Sequence, residues 1–307
     1  MKAIKKPTHG SLDWLQLRHR YMGRCIVGAS EVPAVMGASP YKTIIDLAVE
    51  KMTPPQVREQ NDAMKRGTFL EQGLLDYAAD TDGTTIVTPA EMFVNDTGRI
   101  ISTLDGVSHA RLYEAKTTTS WVAGDQPLPE WFWQAQAQMV CTEASSVRFV
   151  VLDRHLRISL FDIDADAPAQ HRMLQEVEAF CTAIDENRMP TDDPLTADQV
   201  SLLHPDASGE IEIGTAGLDL LERWNAIKDA IKELEREEKA CKDALANALM
   251  DCDTGTVDGH RVITFKTITQ ERFDSKAFTD QHPDLARQFT KFTTFRTMRT
   301  VKGASRG

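Results

Sequence analysis

Residues 102–116 read STLDGVSHARLYEAK, and this stretch decides the fold. It predicts two successive strands with turn residues between them. Side chains alternate between the two faces of a strand, so Glu114 and Lys116 are predicted to point to the same face. Asp105 is predicted to end the preceding strand near the same edge. Two carboxylates and a lysine therefore converge at one edge of a sheet.

This set of residues has the chemistry of a metal site. Carboxylate oxygens suit Mg²⁺, and a bound Mg²⁺ can activate water and stabilise charge on a phosphate. Lys116 is suited to hold the attacking water or to neutralise the transition state. The backbone carbonyl of Ala115 is a further candidate ligand. The alternative is an exposed ion pair between Glu114 and Lys116, which many strands carry.

The surrounding segments supply further polar residues. Glu71 lies on a predicted helix that precedes the strands. Gln134, Gln136 and Gln138 lie at alternate positions of the helix that follows them, and residues four apart share one helix face. These amides are either part of the site or the polar, solvent-exposed face of a structural helix.

The pattern along the chain predicts two units. Residues 1–189 form one unit with mixed helices and strands, residues 190–214 form a Pro- and Gly-containing linker, and residues 215–307 form a C-terminal extension. In the first unit, helices are predicted at 42–51, 63–80, 130–143 and about 167–187, and strands at 84–94, 99–105, 110–117, 147–152 and 157–163. In the extension, apolar residues at four-three spacing predict a long amphipathic helix, either paired as a coiled coil or packed on its own domain. A hairpin is predicted at 256–269, with its turn at Asp258-Gly259.

Charge does not decide the function. The 307 residues have a formal net charge of −11, which taken alone argues against a nucleic-acid partner. The ends are basic, however: residues 1–30 and 254–307 each carry +5, so an acidic body lies between two basic ends. No apolar run approaches the ~18–20 residues that a membrane span needs. The five cysteines include no CxxC pair, which fits a reducing cytoplasm.

Other catalytic classes lack their motifs. The sequence contains no HExxH or HxxH spacing and no GxxxxGK[ST] phosphate loop. A zinc hydrolase and an ATP-driven motor are therefore not expected.

Four blocks in order give the chain a family resemblance. They are residues 14–18 (WLQLR) leading to residues 28–32 (GASEV), Gly67 with Glu71, residues 105–116, and residues 134–136 (QAQ). Over roughly residues 10–165 the chain resembles the YqaJ-type viral recombinase nucleases, which are relatives of phage lambda exonuclease in the PD-(D/E)XK superfamily. The resemblance implies an α/β (α+β) fold with a restriction-endonuclease-like core, a central mixed sheet flanked by helices. The long helix and hairpin extend this core at its C-terminal side.

The resemblance also assigns roles to single residues. Asp105, Glu114 and the Ala115 carbonyl would bind metal, with Glu71 supporting the metal site. Lys116 would assist the water, and Gln134 would position the lysine or the scissile phosphate. Arg18 and Ser30 match residues that hold the 5′-phosphate, for which a guanidinium fork and a hydroxyl are suitable donors. Two Mg²⁺ ions are implied, with Mn²⁺ as a substitute.

The implied activity is digestion of double-stranded DNA from its ends, 5′ to 3′. The exposed strand would pass to a single-strand annealing protein, and the enzyme would be a homo-oligomer in the cytoplasm of a bacterial host, of phage or prophage origin. Two alternatives remain open. One is a related endonuclease. The other is a non-catalytic DNA-binding scaffold, which would be expected to lack one of Asp105, Glu114 and Lys116.

Overall fold

The computed structural model describes residues 2–57, 59, 61–109, 111–119, 127–292 and 295–301. The chain divides into two compact units, Met1–His204 and Pro205–Gly307. The predicted boundaries at residues 189 and 215 lie on either side of this division. Within the predicted linker, residues Ala197–Leu203 form a helix that Thr196 caps.

The first unit mixes helices and strands. Its strands are β1 (Lys2–Lys5), β2 (Arg20–Tyr21), β3 (Arg24–Cys25), β4 (Val27–Gly28), β5 (Glu91–Val94), β6 (Ile100–Ser102), β7 (Gly106–Ser108), β8 (Arg111–Thr117), β9 (Ser146–Leu152) and β10 (Ile158–Asp164). Its helices are α1 (Leu12–His19), α2 (Val32–Val35), α3 (Ile44–Met52), α4 (Asp62–Asp82), α5 (Pro129–Thr142), α6 (Ala167–Asp185) and α7 (Ala197–Leu203). The mixed sheets flanked by helices confirm the predicted fold class.

Two four-stranded sheets replace the single central sheet that was predicted. Their strand orders are β1-β5-β6-β4 and β10-β9-β8-β7. The segments 99–105 and 110–117 therefore belong to different sheets. β6 ends at Ser102, and the chain crosses to the second sheet before the three-residue strand β7 pairs antiparallel with β8. Asp105 accordingly precedes β7 and does not end β6.

Helix α5 lies between the two sheets. Ala137 and Cys141 pack in the core cluster that contains β4, β6 and α6 residues, while Ala135 and Met139 pack in the cluster of β8, β9 and β10. A helix that is covered on both sides must satisfy its polar side chains within the protein. The three glutamines of α5 are all buried, so the solvated-face interpretation is wrong.

Helix α4 covers the other face of the second sheet. Its Leu74, Leu75 and Ala78 pack against Tyr113 of β8 and Val150 of β9. Asn61 caps the first turn, and Gly83 ends the helix with a positive φ of 61°. This packing holds the middle of α4, and with it Glu71, against the strand that carries Glu114.

The second unit begins with the 36-residue helix α8 (Gly214–Leu249). The hairpin strands β11 (Thr254–Val257) and β12 (His260–Thr264) follow, and then the short helices α9 (Ser275–Gln281) and α10 (Pro283–Gln288). The hairpin is shorter than the predicted 256–269 but turns at the predicted Asp258 and Gly259, whose φ values are 50° and 77°. Among the described residues, no helix is long and apolar enough to cross a membrane.

Candidate active site

Strand register brings Asp105 and Glu114 together. β7 pairs antiparallel with β8, and Gly106 lies opposite Tyr113. Asp105, the residue before Gly106, is therefore set against Glu114, the residue after Tyr113. The N–H of Ala115 donates to Asp105 Oδ2 at 2.9 Å, and the Thr88 hydroxyl donates to the Asp105 carbonyl at 2.7 Å. Both contacts fix the carboxylate and its backbone at the start of β7.

Glycine is required next to this carboxylate. A Cβ on Gly106 would lie 2.4 Å from Ile86 Cγ2 and 3.2 Å from Leu75 Cδ2. Only a residue without a side chain lets the chain pass this close to α4 and the segment that follows it.

Glu114 is the centre of a hydrogen-bonded network. Its Oε1 accepts from Lys116 Nζ at 2.6 Å and from Gln134 Nε2 at 2.6 Å, and its Oε2 accepts from Gln138 Nε2 at 2.6 Å. Lys116 Nζ also donates to Gln134 Oε1 at 3.0 Å. Glu114 is only 4% exposed. The exposed-ion-pair interpretation is therefore wrong for Glu114: the pair with Lys116 exists, but its carboxylate is buried among amide donors.

Two of the acidic groups at this site, Asp105 and Glu71, have raised pKa values. Burial raises the pKa of Asp105 well above its ordinary value, and the charges of Glu114 and Glu71 raise it further. Burial also raises the pKa of Glu71, with a further contribution from Glu114. Burial alone would lower the pKa of Lys116, but Glu114 and Asp105 outweigh it, so the net pKa is raised and the lysine stays an ammonium at neutral pH.

The donor set suits a small divalent cation. A magnesium site in proteins uses one or two carboxylates and completes its octahedron with water and substrate phosphate. Asp105 and Glu114 provide two carboxylates whose negative charges repel each other. The N–H and C=O of one strand residue lie on the same edge of that strand, so the Ala115 carbonyl lies on the edge whose N–H contacts Asp105.

Glu71 has a different position from the other two acids. It interacts electrostatically with Glu114 and Asp105. Within the described part of the chain, however, no group of three or more His, Cys, Asp and Glu side chains is close enough to hold one ion. The role of Glu71 as a support for the metal site remains a prediction.

A second polar cluster joins α1 to the loop before α2. Arg18 Nη2 donates to Ser30 Oγ at 3.1 Å and lies 3.2 Å from Glu31 Oε1. The guanidinium lies over the ring of Trp14, with its carbon 4.4 Å from the ring centroid. The structure thus brings the two predicted phosphate-binding residues together and holds Arg18 in one place.

Glu31 and the buried Lys51 support this cluster from the interior of the protein. Lys51 Nζ is fully buried and donates to Glu31 Oε2 at 2.7 Å and to the Arg18 carbonyl at 2.6 Å. The N–H of Gly28 also donates to Glu31 Oε2 at 2.7 Å. Burial opposes ionisation of Glu31, but the charges of Arg18 and Lys51 outweigh it and hold the pKa of Glu31 well below its usual range.

The sequence pattern does not reveal the contacts of three of these residues. Glu31 lies in the segment GASEV (residues 28–32), but nothing in the pattern shows its contact with Lys51. Lys51 ends an amphipathic helix, where a lysine is ordinarily solvated. Gln138 was noticed only because it shares a helix face with Gln134, and its contact with Glu114 depends on how α5 packs.

Residues 13–145 match the family model of the YqaJ-like viral recombinase domain. Over these residues the chain is similar to the YqaJ-like viral recombinase family. This match confirms the predicted family resemblance, and its span includes both polar clusters.

Several known proteins are similar to this chain. The uncharacterized protein YqaJ of Bacillus subtilis (strain 168) is 22% identical over 282 residues, which are 87% of this chain and 88% of that protein. The crystal structure of an alkaline exonuclease (LHK-Exo) from Laribacter hongkongensis is similar with a TM-score of 0.50 and 23% identity, over 58% of this chain and 94% of that one. A phage-related exonuclease from Haemophilus somnus 129PT gives a TM-score of 0.44 at 15% identity, over 53% of this chain and 95% of that one. The fold is thus similar to that of the alkaline exonuclease from Laribacter hongkongensis.

Proposed function

We propose that the protein is a metal-dependent exonuclease that hydrolyses double-stranded DNA from its ends, 5′ to 3′. The observation that carries this proposal is the buried Glu114 carboxylate, which lies beside Asp105 and accepts hydrogen bonds from Lys116 and Gln134. The YqaJ-like domain and its fold support the same reaction class. The product would be a single strand for phage-type recombination through an annealing protein, in the cytoplasm of a bacterial host.

Mg²⁺ is the proposed cofactor, two ions in number, with Mn²⁺ as a substitute. Asp105, Glu114 and the Ala115 carbonyl would hold it, and when bound it supplies positive charge to the phosphate and makes water more acidic. Lys116 remains an ammonium, so it acts as a charged donor to the phosphate or the attacking water and not as a general base. Gln134 accepts from Lys116 and donates to Glu114, which fixes both side chains relative to each other.

The Arg18 cluster supports a preference for ends. A guanidinium has five N–H donors and binds phosphate through a planar fork. Arg18 uses Nη2 toward Ser30 and Glu31, and the residues that the structure describes leave its other N–H groups for a ligand. Its position against Trp14 is set before DNA arrives, so little side-chain entropy is lost on binding. A terminal 5′-phosphate is the proposed ligand.

The decisive experiment compares linear with closed circular DNA. The purified protein is incubated with linear 5′-phosphorylated duplex or with the circle, with Mg²⁺ or EDTA, and beside a Lys116→Ala variant. We expect loss of the linear DNA only, complete inhibition by EDTA, and at least about a 100-fold lower rate in the variant. DNA binding by Lys116→Ala should survive, because the lysine is a donor beside the carboxylates and is not among the proposed metal ligands.

Other outcomes would favour the alternatives. Cleavage of the circle would indicate an endonuclease. Binding of both DNAs without cleavage would indicate a non-catalytic scaffold, although Asp105, Glu114 and Lys116 are all present and in contact. Equal loss of binding and cleavage in Lys116→Ala would show that the lysine serves folding or binding and not the chemical step.

A further inference from the structure

Gln138 contacts the proposed metal ligand from the helix side. It lies one turn after Gln134 on α5 and is 1% exposed. Its Nε2 donates to Glu114 Oε2 at 2.6 Å. Its own Oε1 is buried and has no hydrogen-bond partner among the described residues. The opposite orientation of the amide would place an oxygen against the carboxylate, so the contact itself fixes which end faces Glu114.

The hydrogen bonds on Glu114 show what Gln138 does. An ionised carboxylate has about four lone-pair positions, two on each oxygen. Lys116 and Gln134 occupy both positions on Oε1. Gln138 occupies one position on Oε2, and the described residues leave the other without a donor. The oxygen that Gln138 holds is therefore the one with capacity for a cation.

A purely structural role explains Gln138 poorly. A buried polar atom without a partner costs free energy, so a position selected only for packing favours an apolar side chain. Gln136 on the same helix shows the structural pattern. Its Nε2 donates to the Asp164 carbonyl at 2.8 Å, and its Oε1 accepts from the N–H of Asp166 at 3.0 Å and from Gln170 at 3.1 Å. Both ends of the Gln136 amide are bonded, whereas only the end of Gln138 that faces Glu114 is bonded.

We propose that Gln138 is a positioning residue for the metal site. It holds Glu114 Oε2 so that the remaining acceptor position of this oxygen is available to a divalent cation. This inference rests on the proposed function, because it assumes that Glu114 binds the metal. Residues that hydrogen-bond a metal ligand commonly change metal affinity about 10–100-fold when they are replaced.

The test measures Mn²⁺ binding to the DNA-free protein by electron paramagnetic resonance. Gln138→Met keeps the length of the side chain and removes the donor, and Gln136→Met is the matched control on the same buried helix. We expect Gln138→Met to weaken Mn²⁺ binding at least about tenfold. Its thermal midpoint should change little, since an unpaired oxygen is removed together with the hydrogen bond. We expect the reverse for Gln136→Met, with a lower thermal midpoint and unchanged Mn²⁺ affinity.

The Mg²⁺ dependence of cleavage gives a second readout. The rate of Gln138→Met on linear DNA should fall at low Mg²⁺ and recover as Mg²⁺ is raised, because the defect lies in metal affinity. Wild-type Mn²⁺ affinity in Gln138→Met would overturn the inference and leave the proposed function intact. A fall in the thermal midpoint as large as that of Gln136→Met would overturn it as well, in favour of a structural role. Failure of the wild-type protein to bind Mn²⁺ would instead remove the metal site, and the proposed function with it.

Discussion

At the residue scale, the buried pair of Glu31 and Lys51 determines where Arg18 lies. Lys51 is fully buried and Glu31 is its only carboxylate partner among the described residues. We expect Glu31→Gln to lower the free energy of unfolding by about 3 kcal/mol at pH 7, because the lysine charge loses its counter-charge in the interior. Urea denaturation of the two proteins measures this difference.

The same pair predicts how stability depends on pH. The pKa of Glu31 in the folded protein lies below its ordinary value of 4.5, so its ionised form stabilises the fold above that pH. This contribution is lost as the pH falls below the ordinary value, by at most about 1.4 kcal/mol per pH unit. The gap between wild type and Glu31→Gln should therefore narrow below about pH 4.5. A gap that stays constant down to pH 3.5 would show that the charge of Glu31 is not its cause.

Gly28 gives a second prediction at the residue scale. A Cβ at this position would lie 2.3 Å from Arg18 Nη2 and 2.8 Å from its guanidinium carbon. Gly28→Ala should therefore displace the guanidinium from Ser30. We expect the preference for 5′-phosphorylated over 5′-hydroxyl ends to fall about tenfold, the equivalent of one hydrogen bond to a charged group. Gly73→Ala on α4 is the control, since nothing lies within 4 Å of the added carbon. An unchanged preference in Gly28→Ala would contradict the phosphate role of Arg18.

At the scale of elements, one ion-pair network fastens α6 to the first sheet. Arg99, the residue before β6, is 4% exposed and donates to Asp185 Oδ2 at 2.6 Å and to Glu178 Oε1 at 3.0 Å. Asp185 also accepts from the N–H of Cys25 in β3 at 2.7 Å. The last residue of α6 therefore satisfies the side chain of Arg99, just before β6, and a backbone N–H of β3.

This network predicts that replacing two neighbouring acidic residues will change the free energy of unfolding by different amounts. We expect Asp185→Ala to lower the free energy of unfolding by about 2 kcal/mol, somewhat less than for a fully buried pair because Asp185 is a quarter exposed. Glu186→Ala, one residue further on, should change it by less than about 0.5 kcal/mol, since the one ion pair of Glu186 among the described residues is with an exposed arginine. Chemical denaturation measures both changes. If the two variants lower the free energy of unfolding equally, the effect comes from the loss of a negative charge in general and not from the Arg99 network.

The elements also show how far the sequence leads. Periodicity predicts α4 and α5 within a few residues, and it predicts that a long helix such as α8 exists, because their apolar stripes are long. Alternation likewise predicts that Glu114 and Lys116 share one face of β8. Strand partners are a different matter, because register depends on residues far apart in the sequence. The three-residue strand β7 has too little pattern to reveal that it pairs with β8. The sequence therefore does not predict that these strands belong to two four-stranded sheets and not to one.

The same limit applies within the site. Asp105 and Glu114 come from neighbouring strands, so their approach follows from local structure. The contacts of Lys51 with Glu31 and of Gln138 with Glu114 join elements through tertiary packing. No sequence spacing predicts these two contacts, because they depend on how α3 and α5 pack in the folded protein.

At the scale of the whole molecule, α8 presents an unusual stripe of apolar residues. Leu220, Ile227, Ile231, Leu234 and Leu245 are all exposed. They fall on one four-three repeat, the spacing of a coiled-coil seam. Outside the seam, charged side chains pair along the helix, as in Lys232 with Asp229 and Arg236 with Glu233. A helix that is charged on one side and apolar along a seam is stabilised when a second helix covers that seam.

We expect the second helix to be α8 of another copy, which makes the enzyme a homo-oligomer. Light scattering after size exclusion should give a mass that is a multiple of the single chain for the wild type, and the single-chain mass for the double variant Ile227→Glu with Ile231→Glu. The substitutions place four charges in the seam of a dimer, whose burial without partners is costly. Asp229→Lys, on the side of the helix away from the seam, is the control and should leave the mass unchanged. A monomeric wild type would assign the stripe to another occupant, whereas an oligomer that survives the double variant would locate the interface outside α8.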